Sequence, residues 1–399
     1  MPPISASYAN LANDLAFFVA PCLGDNCIFG LDEAAKTRTR KQMRVGIIGC
    51  GHVSKAHVPH ILRLKGVEIV GVCDIDEENT KDKARQFGIQ RTYRDASSLL
   101  KEASPDVVHV LTPPQSHKQL SIQAMEAGCH VLVEKPMALN TGEADEMIAV
   151  SRRHRVKLCI CHNYLFDPAI MEAREMVAKG SIGDIIAVDG FFSFYHKWND
   201  RMLRAKWLYD LPGSIFHETA PHVVYLQTEF LKNVKVVSAV SKKVGNVLPS
   251  APSDELRVLL EGDFGLGSFA ISWNSQPYIR YVHIYGADKS IQVDFVNQTL
   301  VKFERGIPGK SSKNIYHSLQ LLSRTAGNAI QTLRDRRPDG HRVLIEKFYQ
   351  SLFNGTEPPV TGEDGRANVA ILDQIWAALD RNRRGDRNLD RSPLESEAT

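Results

Sequence analysis

The stretch MRVGIIGCGHVSKAHVPHIL, residues 43–62, opens as a short Val/Ile-rich apolar run, breaks at Gly49-Cys50-Gly51 and continues in helical text. The run reads as a buried strand, so the glycines stand where a strand must turn into a helix. Gly49 allows the tight turn, Gly51 lets backbone approach a pyrophosphate, and the amides beyond, from His52 and Val53, can face the negative charge. Ser54 replaces the third glycine of the usual fingerprint and is small enough for helix–strand packing. The next strand, VEIVGVC, closes on Asp74, 25 residues after Gly49, close to the fingerprint spacing of about 20. Asp74 would accept hydrogen bonds from the adenosine ribose and repel a 2′-phosphate, and Ile75, Asp76, Glu77 and Glu78 offer no cation to hold one. NAD is therefore preferred over NADP.

Working outward, helical text around residues 77–86, 115–127 and 143–154 alternates with strand text at 107–111, 130–133 and 157–161. That alternation predicts a doubly wound parallel sheet, a Rossmann domain over residues 43–165. In such sheets the loops at the carboxyl ends of the strands form the cofactor crevice. Two more of them carry chemistry. Leu111-Thr112-Pro113-Pro114 places Thr112 and Pro113 along the nicotinamide half, with His117 near the cofactor or capping the helix that follows. Val133-Glu134-Lys135-Pro136 places Glu134 and Lys135 at the same edge, where a lysine can donate to a substrate oxygen and to the nicotinamide ribose.

Beyond Asp167 the pattern changes. A helix around residues 169–179 leads into DIIAVDGFFSF, VKVVSAVS, ELRVLLEG, GLGSFAISW, YVHIYG and SIQVDF, alternating runs with no helices between most of them. They predict a large, mainly antiparallel sheet covered by helices, an α+β domain over residues 166–380. Helices are expected again at 314–334, 341–353 and 367–379. Residues 1–42 read as an extension, mobile or strapped over a partner subunit, and 381–399 as a flexible tail.

Composition narrows the partners. The 399 residues carry 49 Lys+Arg against 46 Asp+Glu, a net charge of +3, which provides no field to attract nucleic acid or an anionic membrane. No run reaches about 18 apolar residues, so no membrane span is expected. LAFFVAPCLGDNCIFGL, residues 15–31, is broken by Pro21, Gly24, Asp25 and Asn26 and makes a poor signal peptide. Seven scattered cysteines, an odd number, point to a reducing compartment, the cytoplasm. No metal is expected. The Cys159-Ile160-Cys161-His162 run lacks the paired spacing of a zinc site, and His217-Glu218 with His222 has one residue too many for HExxH.

Taken together, GIIGCG, CDID, LTPPQSH and VEKP resemble the Gfo/Idh/MocA oxidoreductase family, named for glucose–fructose oxidoreductase and inositol dehydrogenase. HNYLFDP, GLGSFAISW, IYGADKSIQVDF and FNGTEPPVTGEDGRANVAI extend the resemblance over residues 43–379. It implies a Rossmann domain, an antiparallel-sheet domain, and a homodimer or homotetramer formed through that sheet. It also implies an acidic-x-x-x-His segment opposite the lysine, here Glu218-Thr219-Ala220-Pro221-His222 after Leu211-Pro212-Gly213-Ser214. Glu218 stands where Asp is common and Pro212 where Gly is common. If the segment is helical, the spacing of four puts Glu218 and His222 on one face.

The activity so implied is NAD-dependent hydride transfer at a hydroxyl or carbonyl carbon of a sugar, polyol or related small molecule. His222 is then the base, Lys135 the charge stabiliser and Glu218 an orienting or catalytic carboxylate. Asn163, Tyr164, Trp198, Arg201 and Trp207 are substrate-side candidates, because aromatics stack on sugars and arginine pairs with anions. Two other readings stay open: a redox-silent sensor of NAD and a sugar, and an NAD-assisted glycoside hydrolase. The region around residues 311–335 reads as a helix packed on the sheet domain or a subunit, with a membrane-surface or partner helix as the alternative.

Overall fold

The computed structural model describes residues 42–194, 205–304, 309–333 and 339–389. Six parallel strands, β1 (Met43–Ile48), β2 (Val67–Cys73), β3 (Thr92–Tyr93), β4 (Val107–Val110), β5 (His130–Val133) and β6 (Leu158–Ile160), form one sheet in the order β3-β2-β1-β4-β5-β6. The central strands are buried on both faces, as their unbroken apolar text requires: Val45, Ile47, Val107, Val108 and Val131 are all inaccessible. Each such side chain contributes about 1.5–3 kcal/mol of transfer free energy. Helices α1 (Ser54–Leu62), α2 (Glu77–Phe87), α3 (His117–Glu126) and α4 (Thr141–His154) supply the crossovers. The two-residue β3 escapes a sequence reading because it is too short to show a period.

The chain order reverses between β1 and β4, so the crevice opens at their carboxyl ends. Gly49 has φ +102°, and a Cβ there would lie 2.6 Å from the Leu111 backbone. Only glycine lets the loop after β1 pass so close to the one after β4.

Helix α5 (Pro168–Ala178) leads into a second sheet of seven strands: β7 (Ile185–Ser193), β8 (Lys235–Lys242), β9 (Glu255–Gly262), β10 (Gly265–Ser272), β11 (Arg280–Gly286), β12 (Lys289–Asp294) and β13 (Thr299–Glu304). Their order is β13-β12-β11-β7-β10-β9-β8. The sheet is mainly antiparallel, with one parallel pair, β7 and β10. That pair is possible because helix α6 (Ile215–Leu231) separates β7 from the β8–β9–β10 meander. Helix α6 lies on this sheet, where the absence of side chains at Gly190 and Gly267 lets Val223, Gln227 and Leu231 settle on β7 and β10.

Three helices complete the chain. Helix α7 (Lys310–Leu333) buries none of its residues. It is tied to the sheet domain by Gln320, which bonds the Lys302 backbone in both directions, and by a two-pronged Arg324–Glu172 pair. No helix among the described residues is long and apolar enough to cross a membrane. Helices α8 (Gly340–Asn354) and α9 (Gly362–Leu389) return toward the first domain. The α9 side chains of Arg366 and Asp373 hold Asp145 and Thr141 of α4, while Asn382 donates to Ala239 O on β8. This corrects the expected tail from residue 381: helix α9 continues to Leu389, because Asn382 is anchored and no proline interrupts before Pro393. The expected extension, residues 1–42, lies outside the described residues apart from Gln42.

Candidate active site

Every crevice residue follows the carboxyl end of a parallel strand. After β1, a Cβ built on Gly51 would meet nothing within 4 Å. Val53, at the N-cap of α1, offers no side-chain acceptor, so the first amides of that helix are left for an anion. Ser54 donates its hydroxyl to Gly51 O at 2.7 Å and closes the turn where a third glycine is usual. His52 is exposed beside Gly51. After β2, Asp74 accepts from Cys50 N at 2.7 Å and from Asp76 N at 2.9 Å, which fixes its carboxylate across from the glycine turn with lone pairs to spare. These residues fit a dinucleotide: the open backbone at Gly51 could take a diphosphate and the fixed Asp74 carboxylate a ribose.

The loop after β4 presents Thr112, whose Oγ1 accepts from Ser116 Oγ at 2.7 Å, and Pro113. Gln115 then reaches the other domain, donating to Trp207 O at 2.8 Å. That bond brings the short helix Lys206–Tyr209 to the rim of the crevice. His117 was expected near the cofactor or capping the helix that follows. It is wholly buried, with Nδ1 2.8 Å from Pro136 O and Nε2 2.7 Å from Thr112 O, and so clamps two crevice loops together.

The loop after β5 holds a buried ion pair. Lys135 Nζ donates to Glu218 Oε1 at 2.5 Å and to Glu218 O at 3.1 Å. Burial alone would push the Lys135 ammonium down, but the Glu218 and Glu134 carboxylates outweigh it and hold its pKa above the ordinary lysine value. Lys135 is therefore a cation at neutral pH. Glu134, expected on the cofactor side, is buried, and its Oε1 lies 2.9 Å from His57 Nε2.

Glu218 and His222 lie one turn apart on α6, so the helical spacing holds, and Pro221 is carried inside the helix. His222 Nδ1 lies 2.9 Å from Tyr225 Oη, and its ring stacks on Tyr164 at 4.6 Å. Burial, then the charges of Lys135 and Arg280, push the His222 pKa well below the ordinary histidine value. The imidazole is neutral. Tyr225 Oη donates to Asn163 Oδ1, so it accepts from His222 Nδ1–H, and Nε2 keeps the lone pair that can take a proton.

His217 points elsewhere: its Nδ1 accepts from Trp376 Nε1 at 3.1 Å, so the two histidines of HExxxH do not share a site. The same indole fills the space over Gly213, where a Cβ would lie 2.3 Å from the ring. Ser214 Oγ and His217 Nε2, both buried at the start of α6, have no partner among the described residues.

Of the substrate-side candidates, Tyr164 borders His222, and Arg280 NH1 donates to its hydroxyl. Asn163 is buried, contacting His341 Nδ1 and Tyr225 Oη. Trp198 and Arg201 lie outside the described residues. Sequence reasoning missed Tyr225, Arg280 and Trp376, which come from distant elements with no local motif to announce them.

The family model described as oxidoreductase family, NAD-binding Rossmann fold (GFO_IDH_MocA), matches residues 43–162, and the GFO/IDH/MocA C-terminal domain model matches residues 170–292. The chain is 35% identical to a D-apiose dehydrogenase of Paraburkholderia graminis, over 92% of this chain and 94% of that protein. It is 24% identical to a myo-inositol 2-dehydrogenase of Thermotoga maritima, over 83% and 93%. Among solved structures, the WlbA dehydrogenase of Bordetella pertussis, crystallised with NADH and UDP-GlcNAcA, superposes with a TM-score of 0.72 at 21% identity, covering 86% of this chain and 96% of that one.

Proposed function

The chain belongs to the Gfo/Idh/MocA oxidoreductase family and is an NAD-dependent dehydrogenase, and we propose that Lys135, Glu218 and His222 carry its chemistry on the hydroxyl of a sugar or polyol. The observation that supports this reading is the buried Lys135–Glu218 pair at the carboxyl edge of the Rossmann sheet, with a neutral His222 one helical turn further on.

NAD, when bound, supplies the nicotinamide carbon that accepts the hydride. His222, neutral and free at Nε2, takes the hydroxyl proton as the hydride departs. Lys135, kept protonated by its carboxylate neighbours, donates to the same oxygen and stabilises the negative charge that develops there. Glu218 holds the ammonium in place through both its side chain and its backbone carbonyl. Gly49, Gly51, His52, Val53, Asp74, Thr112 and Pro113 form the cofactor side, and Tyr164 and Trp207 the substrate side.

The fuller reading adds an assembly and a compartment. Val240, Leu259 and Leu266, exposed on the second sheet, are the apolar face through which a homodimer or homotetramer would form. Cys50, Cys73, Cys129, Cys159 and Cys161, all free and buried thiols, support a reducing compartment, the cytoplasm.

The test is a panel assay. The protein is mixed with NAD and D-apiose, other pentoses, hexoses, myo-inositol or a nucleotide-linked sugar, and NADH fluorescence is followed. A rise with one class names the substrate. NADH binding with no turnover across the panel, in either direction, would overturn the dehydrogenase roles of these residues.

A further inference from the structure

Behind Glu134, four metal-ligating side chains from four distant segments converge. His57 comes from α1, Glu134 from the loop after β5, Cys161 from the residue after β6, and His341 from the start of α8. One donor atom of each lies within 4.8 Å of all the others. His57 Nε2 is 2.9 Å from Glu134 Oε1 and 3.8 Å from Cys161 Sγ, and His341 Nε2 is 4.0 Å from Glu134 Oε1. Donors around tetrahedral zinc stand about 3.3–3.5 Å apart, so small side-chain rotations bring all four onto one ion.

We propose that His57, Glu134, Cys161 and His341 form a closed, four-coordinate zinc site that pins the Rossmann domain to the returning helix α8. Two imidazoles, a thiolate and a carboxylate suit zinc better than magnesium or calcium, whose ligands are oxygens. The charges also match: a thiolate and a carboxylate neutralise a divalent cation, so the buried site is neutral once Cys161 has released one proton. With all four positions held by protein, the ion is structural and has no place for water or substrate.

The surroundings orient His57 as a metal site requires. If His57 binds through Nε2, its proton sits on Nδ1, 3.1 Å from His109 Nδ1, which accepts it. His109 then carries its own proton on Nε2, 3.0 Å from Tyr349 Oη. One tautomer therefore satisfies the whole row, which is how outer partners fix metal-binding histidines. His341 is the one donor not fully buried, its side chain 25% exposed, and provides the way in. Neither sequence pattern with a metal-like look contributes a pair of ligands. Of CxCH and HExxxH, only Cys161 takes part.

This inference goes beyond hydride transfer and does not depend on it, because its readout is the metal. The full chain, grown with zinc and purified without a histidine tag, is analysed by plasma mass spectrometry. About one zinc per chain is expected after dialysis, falling below about one fifth in Cys161→Ser and in His341→Gln. Metal-free protein titrated with cobalt(II) should show intense tetrahedral visible bands and a thiolate-to-cobalt band in the near ultraviolet, the latter absent in Cys161→Ser. Should Cys161→Ser fail to fold, the wild-type cobalt spectrum and His341→Gln decide. Protein that neither retains zinc nor develops the cobalt bands overturns the site, as does full zinc content in folded His341→Gln and Cys161→Ser.

Discussion

Lys135 and Glu218 belong to different domains, 83 positions apart, and meet at 2.5 Å in a buried ion pair. The pair joins the edge of the parallel sheet to the helix that lies on the second sheet. Removing one member of a buried pair leaves the other charge uncompensated, so both positions are sensitive to substitution.

Lys135→Met should lower kcat by about 10²–10³, the usual effect of deleting a donor to a developing oxyanion. NADH affinity, read by fluorescence titration, should change little. A loss in kcat under about tenfold would assign the charge-stabilising role to another group.

The acid limb of kcat/KM for alcohol oxidation should fall below pH about 6.5, the ordinary histidine value. The base must be neutral, and burial with the charges of Lys135 and Arg280 holds His222 neutral to lower pH. The pH profile of His222→Gln should lose that limb together with most of the activity. An unchanged limb in the variant would show that another group titrates there.

Asp74→Ala should weaken NADH binding and narrow the preference for NADH over NADPH, because the carboxylate we propose for the ribose would also repel a 2′-phosphate. Competitive titration of the two cofactors checks it. Tighter binding of NADPH than NADH by the wild-type protein would contradict the assignment directly.

Stability should fall as pH drops below about 6.5. Burial pushes the His217 pKa down to about 4 and also lowers that of His222. Between those folded values and the unfolded one, the unfolded chain binds more protons, so the stabilisation present above the unfolded pKa is lost as pH falls toward the folded one. Each group adds a slope of up to about 1.4 kcal/mol per pH unit. Urea midpoints from pH 7.5 downward measure it, and His217→Gln should flatten the slope.

Gly213→Ala should destabilise the fold by about 1–3 kcal/mol through overpacking. Its new methyl group would stand 2.3 Å from the Trp376 ring. Thermal melts of Gly213→Ala and of Gly213→Ala with Trp376→Leu separate the causes: the smaller side chain should relieve most of the strain.

The Rossmann half was legible because its signals are local. Strand β2 and strand β5 coincide with their apolar runs, and Gly49, Gly51 and Asp74 lie within 26 consecutive residues whose order alone dictates a turn, a helix and a second strand. The second sheet was legible as strands but not as a parallel pairing of β7 with β10, since pairing depends on where helix α6 lays the chain back down. His117, Glu134 and Asn163 were legible as crevice-edge positions, yet their side chains turned out to be buried and bonded inward.

Residue type and short-range spacing thus determined the two-domain class, the cofactor loop and the place of Lys135, while the choice of Glu218 and His222 came from the family resemblance. Tertiary structure alone decided that Lys135 pairs with Glu218, that Tyr164, Tyr225 and Arg280 surround His222, and that His57, Glu134, Cys161 and His341 share one buried point. The physical reason is range. Backbone conformation responds to neighbours a few residues away, whereas charge pairing and metal coordination act over a few ångströms between segments that only the packed sheets and the returning helices bring together.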